Sequence, residues 1–241
     1  MDSYTNLASY YDMLISDDDA QELYLQFTKK YILGNDVLEL GCGSGILADK
    51  LYNDNPNLRI VATDLSKDMI DVANENYVED DIRFDVMDMC ENKYHNEFDT
   101  VLCYCDSLNY VLGIENIRKV FEGAYNALKD NGVFIFDAHS TTRLSEFEEG
   151  YDESFIIDDL EYSWHISTEN NYIKQILRVW DDSIVPTYFF EEHHLQEIYE
   201  PNKLIEILKE IGFTVDVYTD FNYQGIKDGE KQFYICKKES I

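Results

Sequence analysis

The sequence predicts an α/β protein: a mostly parallel, doubly wound sheet with an antiparallel sheet inserted late in the chain. Three observations carry that expectation. Residues 37–45, Val-Leu-Glu-Leu-Gly-Cys-Gly-Ser-Gly, run an apolar strand into glycines at alternate positions, and a helix-compatible segment follows at 46–52. Short apolar strands then alternate with helical segments as far as His139, the pattern of a parallel sheet with helical crossovers. After His139 three strand-like stretches follow one another without a helix, the pattern of an antiparallel sheet.

Each element has a local reason. Leu23, Phe27 and Tyr31 recur at i, i+4, i+8 and make 20–33 an amphipathic helix. Asp17-Asp18-Asp19 reads as its solvated start. The first strand is 36–40, and Pro56 marks a turn before the strand 59–63, which ends at Asp64. Ser66 can cap the next helix, with Asp68 in its first turn. Strands follow at 82–87, ending at Asp88, and at 98–103. A helix at 114–129 is stopped by Asp130-Asn131-Gly132, and the strand 133–136 ends at Asp137. Further strands are expected at 160–166, 172–180 and 187–199. Pro201 opens a helix to about 211, Gly212 ends it, and strands at 213–219 and 232–237 close the sheet.

Charge and composition exclude several functions. Asp and Glu number 49 against 19 Lys and Arg, a net charge of −30. Such a surface repels a phosphate backbone, so nucleic acid is not an expected partner. The five cysteines lack the paired spacing of a zinc site, so no metal is expected and the thiols read as reduced, in a cytoplasmic protein. The N-terminus has no signal-peptide pattern, and no apolar run is long enough to span a membrane.

The chemistry concentrates at strand ends, where open α/β sheets bind ligands. The glycine spacing departs from the G-x-G-x-x-G dinucleotide fingerprint, because the third glycine comes one residue early. Glu39 would repel a pyrophosphate and suits a ligand with an ammonium group. Asp64, 19 residues beyond Gly45, is placed to accept hydrogen bonds from both hydroxyls of a ribose. Asp88 is placed to meet the exocyclic amine of an adenine, with Met89 packing on the ring.

These motifs resemble the class I S-adenosylmethionine-dependent methyltransferases, well over residues 4–139 and loosely over 200–237. VLELGCGSG resembles the family's first motif, in which Glu39, Gly41, Cys42, Gly43 and Gly45 would wrap the methionine part of the cofactor. IVATDLSKDMIDVANEN resembles the second, with Asp64 on the ribose and Leu65 beside it. FDVMDM resembles the third, with Asp88 and Met89 at the adenine. FDTVLCYCDSLNYVL resembles the fourth, where Tyr104 would pack beneath the cofactor. YTNLASYYD resembles the entry segment of a small-molecule subgroup, in which Tyr4 and Tyr11 would fold over the cofactor. The resemblance implies a Rossmann-like sheet of seven strands, the last antiparallel, formed by 1–149 and 200–241, with 150–199 as a β-rich substrate lid. It implies S-adenosylmethionine as cofactor and S-adenosylhomocysteine as product. Glu192-x-His194-x-Gln196-x-x-Tyr199 resembles a recurring lid pattern, with Glu197 standing where a basic residue is usual. A DNA-adenine methylation motif is absent after the fourth strand.

Methyl transfer from a sulfonium needs alignment and dryness more than activation. A hydroxyl or amine acceptor also needs its proton removed, and His139 and His194 are the candidates for that base. The favoured expectation is methyl transfer to a small molecule by a monomer or homodimer. A methyltransferase of proteins or other macromolecules, and a module that binds the cofactor without turnover, stand as alternatives. A nicotinamide oxidoreductase is disfavoured by Glu39 and the glycine spacing.

Overall fold

A computed structural model describes residues 6–14, 17–79 and 81–239. The chain opens with α1 (Ala8–Leu14) and α2 (Asp18–Lys29). Strands and helices then alternate: β1 (Asp36–Leu40), α3 (Ile46–Asp54), β2 (Arg59–Asp64), α4 (Lys67–Asn76), β3 (Ile82–Val86), β4 (Phe98–Cys103), α5 (Ile114–Ala127) and β5 (Leu128–His139). A short α6 (Thr142–Glu146) leads into β6 (Tyr151–Ile157), β7 (Leu160–Glu169), β8 (Tyr172–Asp181) and β9 (Tyr188–Glu197). The chain finishes with α7 (Pro201–Ile211), β10 (Phe213–Thr219), β11 (Tyr223–Gln224) and β12 (Lys231–Lys238).

The main sheet has the order β11-β10-β12-β5-β4-β1-β2-β3. Strands β1 to β5 are mutually parallel, and β12 runs antiparallel to both β5 and β10. The eighth strand, beyond the seven expected, is the two-residue β11, which pairs with the end of β10. The strand order reverses at β1, which has β2 on one side and β4 on the other. A crevice therefore opens at the C-terminal ends of β1 and β4, where such sheets take ligands. Alternation along the strands sorts side chains to two cores. Leu38, Leu40, Phe134 and Phe136 pack under α5 and α7. Val37, Leu102, Val133 and Ile135 pack under α2, α3 and α4.

The capping signals work as read. Asp17 accepts from the N–H groups of Asp19 and Ala20, and Ser66 Oγ accepts from Met69 N. The α5 helix stops at Ala127, two residues before the expected end. Leu128 already pairs with Phe98, and the register then jumps to Thr100↔Val133, leaving Lys129–Gly132 as an irregularity in the strand.

The second sheet is a four-stranded antiparallel meander, β6-β7-β8-β9, one strand more than expected. The additional strand, β6, is an edge strand whose residues are mostly exposed. One face of this sheet buries Tyr162, Leu177, Val179 and Phe190 against Leu7, Tyr10 and Tyr11 of the N-terminal segment. No helix among the described residues is long and apolar enough to cross a membrane.

Candidate functional site

The glycine turn curls over the end of β2. The N–H groups of Gly41 and Cys42 both donate to Thr63 O, at 2.7 and 2.9 Å, and Gly43 N donates to Asp64 Oδ2 at 2.9 Å. Gly41 has φ +70°, and a Cβ there would lie 2.6 Å from Ser107 Oγ on the neighbouring strand's turn. Gly43 has φ +54°, and a Cβ there would meet nothing within 4 Å, because this residue faces open space. A side chain at either position would strain the backbone, and at Gly43 it would also fill room for a ligand.

That room is a cavity of about 1000 Å³. One end is walled by Glu39, Gly41, Cys42, Gly43, Asp64, Leu65, Asp88 and Met89. Tyr11, Tyr104 and Tyr110 line its middle, and Gln175 and His194 of the second sheet line it further on. Asp64 accepts a second hydrogen bond from Ser66 N, at 2.8 Å. Burial raises its pKa, against the opposing pull of the Ser66, Gly43 and Leu65 N–H groups. Asp88 accepts from Cys90 N at 2.8 Å and so caps the turn that presents Met89.

Glu39 is only 3 % exposed. Burial first, and the Asp64 carboxylate second, push its pKa up to about 8. Its Oε2 is buried without a hydrogen-bond partner among the described residues. Leaving such an oxygen unpaired costs about 1–3 kcal/mol, which a cationic ligand can recover. Beside it, Gly45 gives α3 no side-chain cap, so the positive end of that helix lies at Ile46 and Leu47 on the cavity wall.

The N-terminal segment closes one side of the cavity. Asp12 accepts from Ser44 Oγ at 2.5 Å, tying α1 to the glycine turn. Tyr10 donates to Asp181 on β8, and Glu192 on β9 accepts from the N–H groups of Asn6 and Leu7, at 2.6 and 2.9 Å. Tyr11 is thereby held at the wall. Tyr4 lies outside the described residues.

The two histidines part company. His194 is 3 % exposed, lines the cavity, and lies 3.6 Å from Glu192 through Nε2. Burial holds its pKa below the ordinary value, against Glu192. His139 does not line the cavity. It sits behind the wall with Nε2 3.3 Å from Asp106, in place of the acceptor-facing position expected for it. Gly45 is likewise off the wall: it starts α3 with φ +87°, and a Cβ there would lie 2.7 Å from the Phe84 ring.

His139 belongs to a buried charge cluster at the end of β5. Lys231 Nζ lies 2.7 Å from Asp106 and 3.3 Å from Asp137, and donates to the Tyr24 hydroxyl at 2.8 Å. Tyr24 donates in turn to Asp137 at 3.0 Å. Burial alone would raise Asp106, but His139 and Lys231 hold it down to about 2. Burial pushes Asp137 up to about 7, with Lys231 opposing and Asp106 adding. The cluster anchors Asp106, in left-handed conformation at φ +59°, just before the turn Ser107–Tyr110 that lines the cavity. Neither this cluster nor Gln21, whose side chain lines the cavity from α2, was marked by any local motif.

Comparison with known proteins agrees with this geometry. The methyltransferase domain family matches residues 37–132, the stretch from β1 into β5. A Geobacillus sp. (strain WCH70) protein named as a methyltransferase is 28% identical, over 98% of this chain and 100% of its own. The malonyl-[acyl-carrier protein] O-methyltransferase 2 of Ilyobacter polytropus is 27% identical over 85% of this chain and 77% of its own. The crystal structure of an S-adenosylmethionine-dependent methyltransferase from Clostridium acetobutylicum ATCC 824 matches with a TM-score of 0.82 at 25% identity, covering 99% of this chain and 100% of its own. The chain is a class I S-adenosylmethionine-dependent methyltransferase. Its wall fits that cofactor: the unpaired Glu39 oxygen suits the ammonium group, the open end of α3 suits the carboxylate, and Asp64 and Asp88 suit the ribose and adenine.

Proposed function

We propose that the chain transfers a methyl group from S-adenosylmethionine to a nitrogen or oxygen nucleophile of a small-molecule acceptor. The acceptor lies between the glycine turn and the second sheet, with residues 150–199 acting as a lid. The observation that carries this reading is the continuity of the cavity from Glu39 and Asp64 to Gln175 and His194. Its volume stands at the upper end of small-ligand sites, ~300–1,000 Å³, and suits a cofactor together with a small acceptor.

When bound, S-adenosylmethionine supplies a methyl group on a sulfonium, an already activated leaving group. The chain's part is alignment and exclusion of water. Glu39, Asp64 and Asp88 orient the cofactor, and Tyr11 and Tyr104 cover it. His194, kept neutral by burial, accepts the acceptor's proton. The Ilyobacter relative is named for O-methylation of a malonyl group on a carrier protein, which supports an oxygen nucleophile and, through its protein carrier, also favours the macromolecular alternative. A cavity roofed by a second sheet argues against folded macromolecules.

The test is a cell extract split into dialysable and macromolecular fractions, each incubated with the protein and methyl-labelled S-adenosylmethionine. Label should enter the dialysable fraction. Label confined to the macromolecular fraction would support the macromolecular alternative, and S-adenosylhomocysteine binding without transfer to either would support a non-catalytic module.

A further inference from the structure

We propose that Glu197 is a positioning residue for methyl transfer, holding the cavity-lining turn Ser107–Gly113 against the end of β9 so that Tyr110 packs on His194. The inference rests on the methyl-transfer reading above and concerns how its base is placed.

β9 carries His194 and, three residues on, Glu197. Ser107, Tyr110, Val111 and Leu112 line the cavity. Only one short helical turn, Ser107–Tyr110, precedes the loop that runs to α5 at Ile114. The place of this stretch therefore depends on contacts outside itself.

Those contacts converge on residues 197–199. Asn109, fully buried, donates through Nδ2 to Glu197 O at 2.7 Å and accepts from His139 N at 3.0 Å. Gly113 N donates to Glu197 Oε2 at 2.7 Å. The Tyr199 hydroxyl lies 2.6 Å from Val111 O and 2.8 Å from Glu197 Oε2, its one proton directed between two acceptors. Asn171 Nδ2, from the turn between β7 and β8, donates to Glu197 Oε1 at 3.1 Å and fixes the carboxylate's other oxygen. A carboxylate suits this place because it only accepts. A Lys or Arg, usual here in the lid pattern, has no lone pair to offer Gly113 N.

Asn109, Glu197 and Tyr199 do not line the cavity, so they act through the turn they hold. That turn presents Tyr110 edge-on to His194, with ring centroids 6.0 Å apart and planes at 79°. The contact closes one side of the base against water. The strand that carries the base thus also sets the wall facing it, and a displacement of ~1 Å in such a site can cost ~10²-fold in rate.

The test compares Glu197→Ala, Glu197→Gln and wild type. Rates are read as label passing from saturating methyl-labelled S-adenosylmethionine into the dialysable fraction of a cell extract. Glu197→Ala should lower the rate about ten-fold or more while S-adenosylhomocysteine affinity, read by calorimetry, stays within about two-fold. Glu197→Gln should recover most of the rate, because its amide oxygen still accepts from Gly113 N. The His194 ring, followed by NMR and assigned with His194→Gln, should titrate nearer the ordinary ~6.5 in Glu197→Ala as Tyr110 withdraws and water enters. Its charged neighbours Glu192 and His193 are untouched by the substitution. If Glu197→Ala does not fold, Tyr199→Phe, which removes one hydroxyl, should move rate and titration the same way by about three-fold and a few tenths of a pH unit. With S-adenosylhomocysteine affinity intact, an unchanged rate, an unmoved His194 titration or no recovery in Glu197→Gln would overturn the inference alone. No label transfer by the wild type to this fraction would overturn the small-molecule methyl-transfer reading, and this inference with it.

Discussion

Asp64 does two things at once. It is placed for a ribose, and it anchors the glycine turn through Gly43 N and Ser66 N. Asp64→Ala should weaken S-adenosylhomocysteine binding by ~1.5–3 kcal/mol, the worth of charge-assisted hydrogen bonds, measured by calorimetry. An unchanged dissociation constant would show that another residue holds the ribose. His194 predicts a different split. His194→Ala should lower the rate of methyl transfer by ~10²-fold or more while S-adenosylhomocysteine affinity stays nearly constant. Because burial lowers the His194 pKa, the base is neutral through the neutral range. The acid limb of kcat/KM should therefore fall below pH ~6.5, and a limb at higher pH would assign it to another group. The strand-end acids were legible in the sequence because they follow apolar runs directly. The displacement of His139 was not, since it depends on Asp106 and Lys231, the latter a residue far along the chain.

At the scale of elements, α1 is held by polar contacts to two different sheets. Glu192 alone accepts two backbone N–H groups, from Asn6 and Leu7. Glu192→Ala should cost about 1–3 kcal/mol by leaving both donors without that acceptor, read in chemical denaturation. Hydrogen exchange at Asn6 and Leu7 should also quicken relative to β1, and exchange identical to wild type would mean that other contacts hold the segment. The glycine turn was readable because its signal is local: three glycines, an acid and an apolar strand within nine residues. The β6 edge strand was not, because Tyr151–Ile157 carries acids on an exposed surface and lacks a buried alternation. The end of α5 was overestimated because Leu128 and Lys129 continue its pattern in sequence, while pairing with Phe98 draws Leu128 into the sheet. The charge cluster joins Tyr24, Asp106, Asp137 and Lys231 from four separate segments, and no periodicity reports such a meeting.

For the whole molecule, buried acids set the response to pH. Glu39, raised to about 8, and Asp137, raised to about 7, hold their protons in the folded state after the unfolded chain has lost them. The folded state therefore binds more protons across roughly pH 4 to 8, and stability falls as pH rises through that window. Self-repulsion from a net charge of −30 acts in the same direction. Denaturation midpoints should decline from pH 5.5 to pH 8.5, and Glu39→Gln should flatten the decline; a rising midpoint would contradict both assignments. The same proton links folding to function, because a cationic cofactor beside Glu39 should drive it off. The central claim is tested most directly by titrating the protein at pH 7 with S-adenosylhomocysteine, and separately with NAD, in two buffers of different ionisation enthalpy. The account predicts one-to-one binding of S-adenosylhomocysteine with net proton release that Glu39→Gln abolishes, and no response to NAD. Tight NAD binding with no heat from S-adenosylhomocysteine would contradict it.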